Sequence, residues 1–103
     1  MKTILISGGK GKFAKIIRDV NSKYKIISPS KKEMNIKNLS SILNFVKNKK
    51  IDYFIHAAAF STPMENHKIE LEKSISTNII GSANVALACI KKNIKLIYIS
   101  SNF

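Results

Sequence analysis

The sequence predicts an α/β fold, in which about four parallel strands form a doubly wound, incomplete sheet with flanking helices. Two observations predict it. The hydrophobic pattern alternates between strand-like and helix-like periods along all 103 residues, and a glycine-rich turn follows the first apolar run. Such alternation is typical of βαβ units, whose right-handed crossovers leave few topologies. We therefore expect one domain, with the first strand central, the second on one side and the third and fourth on the other.

Four short apolar runs predict the strands. They are rich in β-branched and aromatic residues and are bounded by glycine, proline or polar residues, as expected for strands buried on both faces. These predicted strands are residues 3–7, 24–28, 51–56 and 95–100.

Three segments with a helical apolar period predict the helices. Asn38, or Ser40 if the helix starts later, is the candidate cap of the second helix. Residues 60–68 are predicted to form a loop that contains Pro63. The apolar positions that mark the helices are Phe13, Ile16, Ile17 and Val20, then Leu39, Ile42, Leu43 and Val46, then Ile75, Ile79, Ala83, Ala86, Leu87 and Ile90.

The composition is strongly basic, with a formal net charge of +12. This charge suggests a nucleic-acid or membrane-surface binder. We do not favour either, because Arg18 is the only arginine, the lysines are scattered, and nucleic-acid readers usually rely on arginine. Cys89 is the only cysteine, which excludes an internal disulfide. No apolar run reaches membrane-spanning length, and we expect a cytoplasmic protein.

The turn after the first strand has the spacing of a dinucleotide-binding loop. Gly8 and Gly11 are three residues apart, and Ala14 follows after three more. Gly8 allows a tight turn, Gly11 allows close approach of a pyrophosphate, and Ala14 allows the helix to pack on the strand. The helix N-terminus would then donate N–H groups to the phosphates. A triphosphatase-type loop is disfavoured, because Phe13 and Ile6 stand where it requires a hydroxyl residue and a glycine.

The residues after the predicted strands are small or polar, as a ligand crevice at the carboxyl edge of a parallel sheet requires. They are Gly8, Ser28, Ala57 and Ser101. An NAD-specific site would carry an acidic residue near the end of the second strand. Ser28 and Lys31 stand in that region instead and suit a 2′-phosphate, which favours NADP(H) with NAD(H) as the alternative.

With these motifs in order, the sequence resembles the extended short-chain dehydrogenase/reductases, most closely the dTDP-4-dehydrorhamnose reductase branch and its sugar-nucleotide relatives. The resemblance spans essentially the whole chain and implies the N-terminal part of a Rossmann-type NAD(P)-binding domain over residues 1–103. The motifs are the Gly8–Gly11–Ala14 turn, residues 33–36, residues 52–59, the Asn78…Gly81…Asn84 helix and residues 96–101.

The resemblance also implies roles for individual residues. Asn35 and Ile36 would lie along the adenine, although the family usually has an acidic residue at the first of these positions. Ser101 matches the catalytic Ser/Thr, whose hydroxyl would bind the substrate oxygen during hydride transfer. His56 is interpreted as a core residue. The implied coenzyme-binding residues are Gly8, Lys10, Gly11, Lys12, Phe13, Ser28, Lys31, Asn35, Ile36, Ala57, Ala58, Ala59, Asn78 and Ser100.

The catalytic Tyr-x-x-x-Lys of this family does not occur in these 103 residues. We therefore expect an N-terminal part of a reductase that is inactive alone. The complete enzyme would transfer hydride from NADPH to a 4-keto nucleotide sugar in polysaccharide biosynthesis, as a possible homodimer. An epimerase or dehydratase of the same superfamily, or a non-catalytic dinucleotide-binding module, is the alternative.

Overall fold

The structure is a computed structural model that describes residues 1–8, 12–20, 23–58 and 68–100. Four parallel strands form one sheet in the order β2-β1-β3-β4, as predicted. The elements are β1 (Lys2–Gly8), α1 (Lys12–Val20), β2 (Tyr24–Ile27), α2 (Leu39–Val46), β3 (Tyr53–Ala58), α3 (Lys68–Lys92) and β4 (Lys95–Ser100). This is the predicted doubly wound α/β sheet.

Both faces of the central strand β1 are buried. Leu5 faces the layer that contains α2 and α3, and it packs in one cluster with Phe54 and Val85. Ile4 and Ile6 face the other layer and cluster with Ile55, against which Ile17 of α1 also packs. A parallel strand between two helical layers needs apolar residues on both faces, which explains the continuous apolar run of β1.

Strand β3 begins two residues later than predicted. The carboxylate of Asp52 accepts a hydrogen bond from the backbone N–H of Thr3 (2.8 Å), and the Asp52 N–H donates to the Thr3 carbonyl (3.0 Å). Paired ladder residues start one position later, at Ile4 and Tyr53. Asp52 therefore fixes the register between β1 and β3.

Helix α2 begins at the predicted cap. The Asn38 side-chain oxygen accepts from the backbone N–H groups of Ser40 (2.9 Å) and Ser41 (3.4 Å). The Ser41 N–H also donates to the Asn38 carbonyl (3.0 Å), so the cap mainly offsets the cost of leaving the Ser40 N–H unpaired at the start of the helix.

Helix α3 was predicted correctly, but its buried face was not. Ile79 and Ile90, two of the residues that predicted it, are 62% and 77% exposed. The buried face consists instead of Gly81, Val85, Ala88 and Cys89, spaced at i, i+4, i+7 and i+8. Small side chains on this face let the helix approach the sheet and the loop before α2 closely. Among the described residues, no helix is both long and apolar enough to cross a membrane.

Candidate functional site

The carboxyl ends of β1 and β3 meet at the switch point of the sheet. Gly8 pairs with Ala57 and has a positive φ of 83°. A Cβ built on Gly8 would overlap the Ala57 carbonyl oxygen. Only glycine fits this backbone at the end of β1. A glycine at this point is what the tight first turn of a dinucleotide-binding loop requires.

A buried hydrogen-bond bridge lies one residue before the Gly8–Ala57 pair. His56 Nδ1 is 2.8 Å from Ser7 Oγ, and His56 Nε2 is 3.1 Å from Ser82 Oγ. His56 is only 1% exposed, and burial lowers the pKa of its imidazole. A neutral imidazole donates from one nitrogen and accepts at the other, and hydroxyl groups can take either role. The bridge ties β1, β3 and α3 together, so His56 is a core residue here.

The end of β2 carries the contact that sequence reasoning missed. Arg18 Nη2 donates a hydrogen bond of 2.8 Å to Ser28 Oγ, one residue beyond the last residue of β2. Sequence reasoning considered Ser28 and Lys31 at this position but not Arg18. The available signal was that Arg18 is the single arginine in a chain with seventeen lysines.

A tight turn leads from β2 to the predicted adenine-contacting residues. The N–H of Ser30 donates to Glu33 Oε1 (2.9 Å), and the N–H of Glu33 donates to Ser30 Oγ (3.3 Å). The hydrogen bonds from Ser30, with its backbone N–H first, lower the pKa of the Glu33 carboxyl. The acidic group nearest the end of β2 in sequence is thus engaged within its own turn.

The segment containing Asn35 and Ile36 is held from two sides. Asn35 Oδ1 accepts from the Lys37 N–H (3.0 Å), which makes a local turn. The Ile36 carbonyl accepts from Asn84 Nδ2 (2.9 Å). A Cβ added to Gly81 would lie 2.5 Å from Ile36 Cδ1, so that glycine and isoleucine are in close contact. Two residues of the Asn78…Gly81…Asn84 motif therefore position Ile36.

The remaining predicted site residues are partly outside the described structure. Lys31 is exposed on the turn after β2, and Asn78 is half-buried on α3. Lys10, Gly11, Ala59 and Ser101 lie outside the described residues. For Lys12, Phe13, Ala58 and Ser100 the structure describes the backbone in α1, β3 and β4 but not the side chain.

In the part of the chain that the structure describes, neither a metal site nor a reactive thiol is found. No group of three or more histidine, cysteine or acidic residues there could hold a metal ion. Cys89 is buried in the core, and burial raises the pKa of its thiol to about 11. The thiol is therefore protonated near neutral pH and serves as a small apolar side chain.

Comparison with known families decides where this chain belongs. The family model described as RmlD substrate binding domain matches residues 1–103. The chain belongs to this family. A curated relative, dTDP-4-dehydrorhamnose reductase from Aggregatibacter actinomycetemcomitans, is 26% identical over 107 residues. That match covers 100% of this chain and 36% of the relative, so the chain spans about a third of the relative's length.

Solved structures of similar proteins support both the family membership and the predicted fold. The dTDP-4-dehydrorhamnose reductase from Bacillus anthracis, crystallised in complex with NADP, aligns with a TM-score of 0.76 and 29% identity. The alignment covers 95% of this chain and 36% of that structure. A GDP-L-fucose synthetase from Naegleria fowleri bound to NADP has a TM-score of 0.71 and 21% identity, over 94% of this chain and 30% of that one. The second likeness supports the Rossmann-type fold alone.

Proposed function

We propose that residues 1–103 are the N-terminal part of the NADP(H)-binding domain of a nucleotide-sugar reductase. The observation that carries this proposal is the end of β1, where the φ of Gly8 and the adjacent Ala57 carbonyl exclude any side chain. A glycine with this backbone conformation at the switch point of a parallel sheet suits the tight first turn of a dinucleotide-binding loop. The family match and the NADP-bound relative from Bacillus anthracis support the same function.

In this proposal the residues of the chain bind and orient the coenzyme. Gly8 and Gly11 receive the pyrophosphate, together with the first N–H groups of α1. Ile36 offers a half-buried apolar surface to the adenine, and the amide of Asn35 contacts the base edge. When bound, NADPH supplies the hydride for the keto carbon. The Ser101 hydroxyl donates to the oxygen on which negative charge develops during that transfer.

The proposed substrate is a nucleotide-linked 4-keto sugar, because two of the three relatives named above are dTDP-4-dehydrorhamnose reductases. The proposed setting is the formation of dTDP-rhamnose for polysaccharides, in the cytoplasm. The complete enzyme would act on this small-molecule substrate without nucleic acid or membrane, as a possible homodimer. The lone buried cysteine fits a reducing compartment.

Calorimetry of the folded chain with NADPH and NADH tests the proposal. We expect heat of binding for NADPH, and a loss of at least about tenfold, or about 1.4 kcal/mol, in Gly11→Asp, because a carboxylate beside the pyrophosphate adds repulsion and bulk. Asn48→Asp is the matched control, since it adds the same charge at an exposed position beyond α2. Absence of binding to either coenzyme, or an unaffected Gly11→Asp variant, would refute the assignment.

A further inference from the structure

The only arginine of the chain reaches the end of β2. Arg18 lies in the last turn of α1, and Ser28 follows β2. Side chains of a helix lean toward its N-terminus. The N-terminus of α1 faces the carboxyl edge of the sheet, because α1 follows the carboxyl end of β1. The guanidinium can therefore extend along α1 toward that edge, where Ser28 Oγ accepts from Nη2 at 2.8 Å.

The hydrogen bond leaves most of the guanidinium available to a ligand. Arg18 is exposed, and the described part of the chain gives it no ion pair. A guanidinium has five N–H donors in a planar fork, which matches the oxygens of a phosphate. Ser28 occupies one donor and limits the freedom of the side chain. The Ser28 hydroxyl can itself donate to a ligand oxygen, because a hydroxyl group both donates and accepts.

The charges around Ser28 favour an anion. Lys31 and Lys32 follow on the exposed turn after β2. The carboxylate of Glu33 on that turn is hydrogen-bonded to the Ser30 N–H. In dinucleotide-binding sheets, the end of the second strand lies beside the 2′ position of the adenosine ribose. The place where an NAD-specific site would carry a carboxylate thus holds the Ser28 hydroxyl and the Arg18 guanidinium.

We infer that Arg18, positioned by Ser28, binds the 2′-phosphate of NADP(H) and determines the preference for this coenzyme over NAD(H). This inference rests on the proposed function, because it assigns one part of the same coenzyme to one side chain. Arg18 touches the phosphate and is the specificity-determining residue. Ser28 acts mainly through Arg18 and is a positioning residue. Lys31 adds general positive charge without the fork geometry.

The ratio of NADPH affinity to NADH affinity is the deciding measurement. We expect Arg18→Gln to weaken NADPH binding by about 10- to 100-fold, the usual range for a lost charge-assisted hydrogen bond, and to leave NADH within about twofold. Arg18→Lys keeps the charge and should recover only part of the loss, because it lacks the fork. Ser28→Ala should lower the ratio by a few-fold. Lys15→Gln, an equal charge loss at an exposed position of α1, should change little.

A second pair of probes isolates the phosphate. Adenosine 2′,5′-bisphosphate and 5′-AMP differ only in the 2′-phosphate, so Arg18→Gln should weaken the first and spare the second. Circular dichroism of each variant checks that the fold is retained. If the wild-type chain binds neither coenzyme, the proposed function and this inference both fall. If the wild type binds NADPH and Arg18→Gln leaves the NADPH-to-NADH ratio unchanged, only the role of Arg18 is overturned.

Discussion

The contact between Gly81 and Ile36 provides a sharp test of how α3 is packed. A methyl group at position 81 would lie 2.5 Å from Ile36 Cδ1 and 3.0 Å from Cγ1. Carbon atoms normally approach to about 3.5–4.0 Å, so Ile36 would have to move by about 1 Å. Gly81→Ala removes the flexibility of glycine from a helix interior, and in an unhindered helix it would stabilise the fold.

The two effects of Gly81→Ala oppose each other. Replacing glycine by alanine within a helix gains about 1 kcal/mol, whereas overpacking typically costs about 1–3 kcal/mol. We therefore expect a net loss of about 0–2 kcal/mol with Ile36 present. Ile36→Val removes Cδ1 and the closest overlap. In that background the helix gain should dominate, and the two substitutions should show a coupling energy of about 1–2 kcal/mol.

Urea unfolding of the wild type, both single variants and the double variant measures this coupling. With a slope of about 1–3 kcal/mol per molar urea, the coupling corresponds to a midpoint difference of roughly 0.3–2 M. Ser76→Ala, at an exposed position of the same helix, is the control and should be additive with Ile36→Val. A Gly81→Ala variant that is more stable than the wild type, or additive with Ile36→Val, would show that α3 does not press on Ile36.

Two further substitutions test the buried bridge and the helix cap. Because burial lowers the pKa of His56, the unfolded imidazole binds a proton more readily than the folded one. The neutral, buried imidazole of His56 stabilises the fold fully at pH values above its unfolded pKa of about 6.5. This stabilisation is lost as the pH falls below that value, so the urea midpoint should drop between pH 7.5 and 5.5. In His56→Gln this part of the pH dependence should vanish, and an unchanged slope would contradict the burial argument. Asn38→Ala should lower the free energy of unfolding by about 1 kcal/mol, and the exposed control Asn48→Ala by less than about 0.5 kcal/mol; equal losses would exclude a capping role.

The sheet could be predicted from sequence because its signals are local. The apolar run of β1, the Gly8 turn and the Asn38 cap each depend on residues within a few positions of one another. The right-handed crossovers then leave few strand orders to choose from. The start of β3 was displaced, because Asp52 pairs with Thr3, a partner 49 positions away.

The packing of α3 could not be read from its own pattern. Its larger apolar residues suggested one buried face, and the structure buries the face with small residues instead. The reason lies outside the helix, where Ile36 fills the space that a side chain at Gly81 would need. The pairing of Arg18 with Ser28 is equally non-local, because it requires the direction of α1 against β2.

The bridge through His56 also bears on how the chain folds. Ser7 and His56 are 49 residues apart, yet they meet in adjacent strands because β1 lies between β2 and β3. The entropy lost in closing such a segment is incurred before its contacts form, which slows folding. We expect the β1–β3 ladder to assemble late, after α2 and the hydrophobic collapse around it. The edge of β1 that pairs with β3 would then stay unpaired for longer than the edge that pairs with β2, whose partner lies closer in sequence.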